Sequence, residues 1–407
     1  MPTQLSNVPL DLVVDFDFHD PSIQGDIHDR LSAIEAVSPV SYCPAHGGYW
    51  LATSYDAVQE VLRNWETFSS TAGAIPKGMA GKAIPLHFDP PEHTAYRQLI
   101  NPFFAPGRMK ALETEVRATA NALIDTFIES GRCEFVSDFA TPLPTLTFLS
   151  LVGWPLADAD RFRDWTDGIL VGKPGASEED DKQHRLKMSE QVFAYFGEML
   201  NDRRSTASVD DLTGILMRSK YEGERLLTDD ELLRTLWLLM LGGLHTVRGV
   251  LALGMMQLTG HPIERQRLID DPSLIPSAVE ELLRLEAPVA PGRLVTKDVA
   301  LEGVQLRKGD RIVAFTSAAN RDESKFACPN DLDPVRSPNP QLAFGSGPHR
   351  CIGSNLARIE LVVAFEEIHR RLPDYSIDAD HPVDRHGGQV RGVNSLHLQF
   401  TPGSSNH

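Results

Sequence analysis

Residues 344–353 read Phe-Gly-Ser-Gly-Pro-His-Arg-Cys-Ile-Gly, and a helical pattern runs on from there to residue 371. A cysteine at the mouth of a helix meets free N–H groups and the positive end of the helix dipole, and both favour thiolate over thiol. The glycines let backbone come close to a large flat ligand and leave N–H groups free to face the sulfur. His349 and Arg350 add positive potential. A buried, inert cysteine in an ordinary loop needs none of this pattern. The chain is therefore expected to present Cys351 to a ligand at the start of its last long helix.

The other cysteines, Cys43, Cys133 and Cys328, are scattered and form no CxxC pair, which argues against a disulfide framework and a structural zinc site. Over 407 residues, 39 basic and 56 acidic side chains leave a net charge of −17, which excludes broad nucleic-acid binding or docking on an anionic membrane. The first residues lack a basic stretch followed by an apolar one, so no signal peptide is expected. The most apolar stretch, 236–258, is interrupted by Gly242, Gly243, His245, Arg248 and Gly249. Such residues are costly in lipid, so it reads as a buried helix of a cytoplasmic protein with no membrane contact.

Apolar positions recur with helical period over 55–63, 91–101, 109–130, 191–203, 229–259, 262–270, 276–285 and 353–371. Strand signals are short: 48–53, 293–296, 299–301, 309–315 and 394–400. The polar stretch 172–183 reads as a loop able to act as a mobile lid, and 202–210 as a helix connection. The expected fold is mainly α with a minor β part. No repeat or long linker divides it, so one domain over 1–407 is expected, with short flexible termini at about 1–14 and 402–407.

Phe344, Gly347, Cys351 and Gly353 fit the pattern FxxGxxxCxG, and here the sequence resembles the cytochrome P450 family of haem-thiolate monooxygenases. Further motifs extend the resemblance over residues 15–400. Glu281 and Arg284 match its ExxR helix, and Arg336 sits where the family places the third member of that network. Residues 89–97, Asp-Pro-Pro-Glu-His-Thr-Ala-Tyr-Arg, match its DPPEHTxxR helix start. The resemblance implies a helical bundle around haem with small antiparallel sheets. It implies haem b ligated through Cys351, the metal ligand, with dioxygen as co-substrate. It implies haem-propionate contacts from His93, Arg97, Arg293 and His349. Phe344 would shield the sulfur, and Gly353 completes the loop.

The helix 229–259 carries Leu-Gly-Gly-Leu-His-Thr at 241–246, against the family's Ala/Gly-Gly-x-Asp/Glu-Thr. Gly242 and Gly243 are expected to let the helix bulge for oxygen, although a plain packing notch would read the same. Thr246 is the implied proton-handling hydroxyl. His245 stands where the family usually has an acid, so an altered proton relay is expected, with Arg248 discouraging its charge. By position in the family, Ala74, Ile84, Leu86, Leu238, Leu241, Leu244, Val289 and Val393 would line the substrate pocket, with Leu170 and Val171 as its roof. Asn394 and His87 would be its polar contacts. That lining suits a small to medium apolar substrate, terpenoid-like or an aromatic ether.

No flavin, iron–sulfur or GxGxxG motif appears, so electrons are expected from a separate ferredoxin or flavodoxin and its reductase. Docking would use a basic patch of His349, Arg350 and Arg358 on a protein expected to be a monomer. Three other readings stay open: a peroxide-using haem-thiolate enzyme, a haem-thiolate protein that does not oxygenate, and a cysteine-nucleophile hydrolase using Cys351 with His349.

Overall fold

The apolar stretch at the centre of the sequence folds as a single 32-residue helix, Asp229–Gly260, around which the rest is arranged. Its start is set by a capping box: the Thr228 hydroxyl accepts from the Glu231 N–H, and the Glu231 carboxylate accepts from the Thr228 N–H. In the computed structural model, which describes residues 2–75, 82–205 and 211–405, this is the one helix among them long and apolar enough to span a membrane. It is instead enclosed by protein along most of its length. One side packs into a cluster with Val247, Val250, Val363, Phe365 and Leu282. The opposite side packs into a second cluster with Leu241, Leu244, Phe148, Trp154 and Phe196.

The helices Tyr55–Arg63, Glu92–Ile100, Pro262–Asp270, Ile275–Glu286 and Ser354–Arg371 lie where the apolar period places them. Ile27–Val37, Pro142–Val152, Ala159–Leu170 and Leu212–Arg218 are among the helices that escape that reading. Pro142–Val152 is apolar on all sides, so it shows no stripe. The expected lid over 172–183 is half helix. Glu178–Ser205 is continuous over 28 residues, and its first turn is Glu-Glu-Asp-Asp, which suits a helix N-terminus but gives no apolar period. Only 172–177 is loop there. Of the connection read at 202–210, residues 206–210 lie outside the described residues.

The β part holds one five-stranded sheet and several two- or three-stranded ones. The larger sheet runs Val40–Cys43, Tyr49–Ala52, Arg311–Ala314, Gly292–Val295, Phe68–Ser69. It is mixed rather than antiparallel, because Arg311–Ala314 pairs in parallel with Tyr49–Ala52. Strand Gly292–Val295 is crossed closely at its first residue. A Cβ on Gly292 would sit 1.8 Å from the Gly73 carbonyl oxygen, and one on Gly73 would sit 2.1 Å from that of Gly292. A hairpin of Asp384–His386 and Gly392–Ser395 packs against the central helix.

Over their described residues both ends make contacts with the rest of the protein. The Thr3 hydroxyl donates to Asp310 at 2.7 Å, Val8 is buried, and Val13 bridges to Tyr42. At the other end the Gly403 N–H donates to the Ile128 carbonyl at 3.1 Å.

Candidate active site

The cysteine loop is built on left-handed glycines. Gly345 and Gly347 have φ of 68° and 71°, where a side chain is strained. Gly347 is fixed twice over, since a Cβ there would lie 2.8 Å from the Leu62 carbonyl oxygen. The loop thus rests on the end of Tyr55–Arg63, and Arg63 Nε donates to Ser346 Oγ at 2.8 Å. The Cys351 N–H donates back to the Phe344 carbonyl at 2.8 Å, closing the turn before Ser354–Arg371 begins. Burial pushes the Cys351 thiol up, against the Gly353 N–H and the charges of Arg97, Arg350 and Arg358. A metal ion on the sulfur would reverse that balance by displacing the proton.

Behind the loop lies a buried charge network. Arg284 and Glu281 are both fully buried and pair bidentately, at 2.7 Å each. All five Arg284 donors are used, the others on the carbonyls of Asn320, Pro329 and Asp331. Arg336 Nε joins Glu281 at 2.8 Å. Asn320 then accepts from the Leu342 N–H at 2.7 Å, two residues before Phe344. The three residues singled out in the sequence are therefore together, and they brace the loop.

Arg358 is not a free surface cation. It pairs with Glu280 and lies over the Phe344 ring, 4.5 Å from its centroid. It clamps the loop, which leaves Arg350 as the exposed cation of the expected docking patch.

His93, Arg97, Arg293 and His349, far apart in sequence, converge. The His93 and His349 rings stand 4.1 Å apart. His93 Nδ1 and His349 Nε2 are buried without a hydrogen-bond partner. Arg293 is buried and, among the described residues, donates only to the neighbouring Gly292 carbonyl. Arg97 donates to Asn101 Oδ1 and to the Arg350 carbonyl. Burial, then Arg293, His93 and Arg97, hold His349 down at about 2. Asp89, the carboxylate that bears on His93 and Arg293, is tied to Ser69 and the Ser70 N–H. Basic groups facing one another without a carboxylate between them fit a ligand carrying carboxylates of its own. With Cys351 nearby, that donor set fits haem, whose propionates would supply the missing charge.

The buried histidines give the protein an acid sensitivity of definite sign. His19, His28, His93, His369 and His386 are lowered to about 4 and His349 to about 2, in each case chiefly by burial. The unfolded chain would bind protons on them below about pH 6.5, while the folded chain would not. Stability is therefore complete above that pH and falls as pH drops toward 4. Thermal midpoints measured down this range should decline. The decline should be shallower with haem bound, because propionates beside His93 and His349 would raise their pKa.

On the central helix, Thr246 Oγ1 donates to the Gly242 carbonyl at 3.0 Å. The two glycines before it do different jobs. Gly242 is exposed with nothing near it, whereas a Cβ on Gly243 would meet the Phe148 ring at 2.5 Å. Gly243 is thus a packing notch, and Gly242 alone leaves open space. His245 is buried, with neither ring nitrogen hydrogen-bonded, and burial followed by Arg248 holds it well below its usual pKa. Arg248 itself is paired with Asp167 at 2.6 Å.

Ile84, Leu241 and Leu244 share one apolar cluster, with Leu238 packed against it, on the side of the central helix facing Phe148. Val289 bridges to Val390, Ala74 is half-buried and Leu86 is exposed. Val393 is not brought to that surface. It is fully buried in the other cluster, with Val247 and Val250. Asn394 and Val171, with Asp164, Asp167, His184, Met188 and Asp384, line a cavity of about 520 Å³. The His87 ring accepts from the Ala83 N–H at 3.0 Å.

A family model described as Cytochrome P450 matches residues 265–373. The chain is 34% identical over 388 residues to "Probable cytochrome P450 127A1" of Sinorhizobium fredii, covering 93% of this chain and 91% of that one. It is 35% identical over 360 residues to "Steroid C26-monooxygenase" of Mycolicibacterium smegmatis, covering 87% and 88%. Its structure superposes on a crystal structure of cytochrome P450 CYP101C1 with a TM-score of 0.87 at 31% identity, covering 98% of this chain and 100% of that one.

Proposed function

Given that this chain belongs to the cytochrome P450 family, we propose that Cys351 holds its haem iron and that its substrate is a small to medium apolar molecule, terpenoid-like or an aromatic ether. The enzyme is a monooxygenase with haem b, a cysteine thiolate ligand and dioxygen as co-substrate. Haem supplies the oxygen activation and insertion when bound. The chain supplies the rest. Gly353 and the arginines around Cys351 stabilise its thiolate, and Phe344, pinned under Arg358, shields one side of it. His93, Arg97, Arg293 and His349 hold the two propionates. The aliphatic surface of Ile84, Leu238, Leu241 and Leu244 binds substrate and excludes water. Thr246 and His245 handle protons above it.

The observation that carries this reading is the convergence of the Cys351 loop with four basic side chains that lack an acidic partner. Relatives named for steroid and branched-lipid oxidation support an apolar substrate. Electrons come from a separate ferredoxin or flavodoxin and its reductase, met at the Arg350 side of the loop. The protein is cytoplasmic and monomeric. His245, in place of an acid, favours peroxide-driven turnover as a second reading.

The test is spectroscopic. Reduced protein under carbon monoxide should give a strongly red-shifted Soret band. Ferric protein should then pass to high spin with one of a terpenoid, aromatic ether or steroid panel. A Soret band typical of histidine ligation would overturn the assignment of Cys351.

A further inference from the structure

His245 sits against the hairpin of Asp384–His386 and Gly392–Ser395, and the pairing of its ring there is specific. The His386 ring lies 5.1 Å away, edge to face at 65°. Behind it, Asn394 Nδ2 donates to Asp384 Oδ2 at 3.1 Å, which turns the amide oxygen toward His386 Nδ1 at 2.7 Å. An amide oxygen only accepts, so His386 Nδ1 must carry the ring proton. In the neutral ring Nε2 is then a bare acceptor. That nitrogen is buried with no partner, as are both nitrogens of His245. Gly392 keeps the space between the rings clear. A Cβ there would lie 3.0 Å from His386 Nε2 and 3.8 Å from His245 Cε1.

We propose that Asp384, Asn394 and His386 form a positioning chain that fixes the tautomer of His245. The two rings meet without that hydrogen bond in the structure; turned onto His386 Nε2, the ring N–H of His245 is accepted there, and its other nitrogen is left as a bare acceptor one residue from Thr246. His245 then passes protons in a defined sense. It takes a proton from solvent water on the bare nitrogen and releases its own to His386 Nε2, and the two transfers run backward to hand that proton on to Thr246. The charge then rests on His386, with its Nδ1–H still held by Asn394 and the Asp384 carboxylate behind. The other charged groups facing the pair are Arg248, held by Asp167, and Arg391, held by Glu286. Both oppose a resting positive charge, so the pair is neutral between transfers. This inference rests on the reading of His245 as a proton-handling residue with Thr246.

The test uses the holoenzyme as its diamagnetic ferrous carbon monoxide complex, labelled with nitrogen-15 in histidine. Two-bond proton–nitrogen correlations report which ring nitrogen carries the proton, and His245→Gln and His386→Gln identify the two signals. Single tautomers are expected for both rings, with the proton of His386 on Nδ1. Asn394→Leu should turn both into tautomer mixtures. Coupled turnover of whichever panel compound gives the spin shift should fall about tenfold in Asn394→Leu, the scale of outer hydrogen-bond partners. A His386 proton on Nε2, or a His245 signal indifferent to Asn394→Leu, would overturn the proposal. Fixed tautomers with full coupling in His245→Ala would instead uphold the positioning chain and refute the proton-handling role it rests on.

Discussion

Cys351→Ala should lose the red-shifted carbon monoxide band completely while the polypeptide stays folded. The side chain removed is small and packs in none of the apolar clusters. The turn is closed by backbone, the Cys351 N–H on the Phe344 carbonyl, which alanine retains. The stability change of the haem-free protein should therefore stay within about 0.5 kcal/mol, the range for substitutions away from packed or paired groups. The other cysteines are the controls. Cys43 and Cys133 are buried in apolar surroundings, and burial drives the Cys133 thiol far up. Cys328 is exposed. Cys328→Ala should keep the band in full. A surviving band in Cys351→Ala, or its loss in Cys328→Ala, would displace the ligand assignment.

Arg284→Lys should be nearly as damaging, by a different route. Breaking a buried ion pair costs ~3–5 kcal/mol, a large share of a total stability of ~5–15 kcal/mol. Lysine has three donors where Arg284 uses five, and it cannot match the bidentate carboxylate. Glu281 would keep only Arg336, Asn339 and the Asp333 N–H. The expected result is a thermal midpoint lowered by many degrees and poor haem retention. A charge-free double variant, Glu281→Leu with Arg284→Met, separates charge from architecture. Replacing a buried pair by apolar groups is often neutral. Here it should not rescue, because the carbonyls of Asn320, Pro329 and Asp331 lose their donor and Arg336 loses its partner. Calorimetry and haem content together would decide it. A double variant as stable as the parent would mean that the network braces nothing.

How much of this could be read from the sequence depends on whether a feature is local. The cysteine loop is contiguous, so its glycines, its cysteine and the helix after it are legible together. Glu281 and Arg284 share one helical turn, and Tyr55–Arg63 has a clean apolar stripe. The cationic cluster is assembled from positions 93, 97, 293 and 349, and only the family resemblance linked them. The first half of Glu178–Ser205 was hidden because its first turns are charged, with Ser189 its first buried residue, whereas 191–203 reads as helix. Gly243 and Gly242 look alike in sequence, and their roles separate only once Phe148 is placed. His386 carried no signal at all. Asn394 was legible as a polar residue near the pocket, but its partner lies eight residues back across a hairpin turn. Arg358 misled by charge, since Glu280 on another helix neutralises it.

The crossing of Gly73 and Gly292 sets a limit on how this protein can vary. Each residue's missing side chain is the room taken by the other's carbonyl, so the constraint is mutual and made of backbone. Backbone cannot be trimmed by a compensating substitution, so no change at one position repairs a change at the other. Immediately beside the pair stand the half-buried Ala74 and Arg293, in the basic cluster. A larger side chain at Ala74, proposed to line the pocket, would alter substrate fit, whereas a single methyl at Gly73 pushes the strand that carries Arg293. Two adjacent positions thus belong to opposite regimes, one free to diversify and one closed to it.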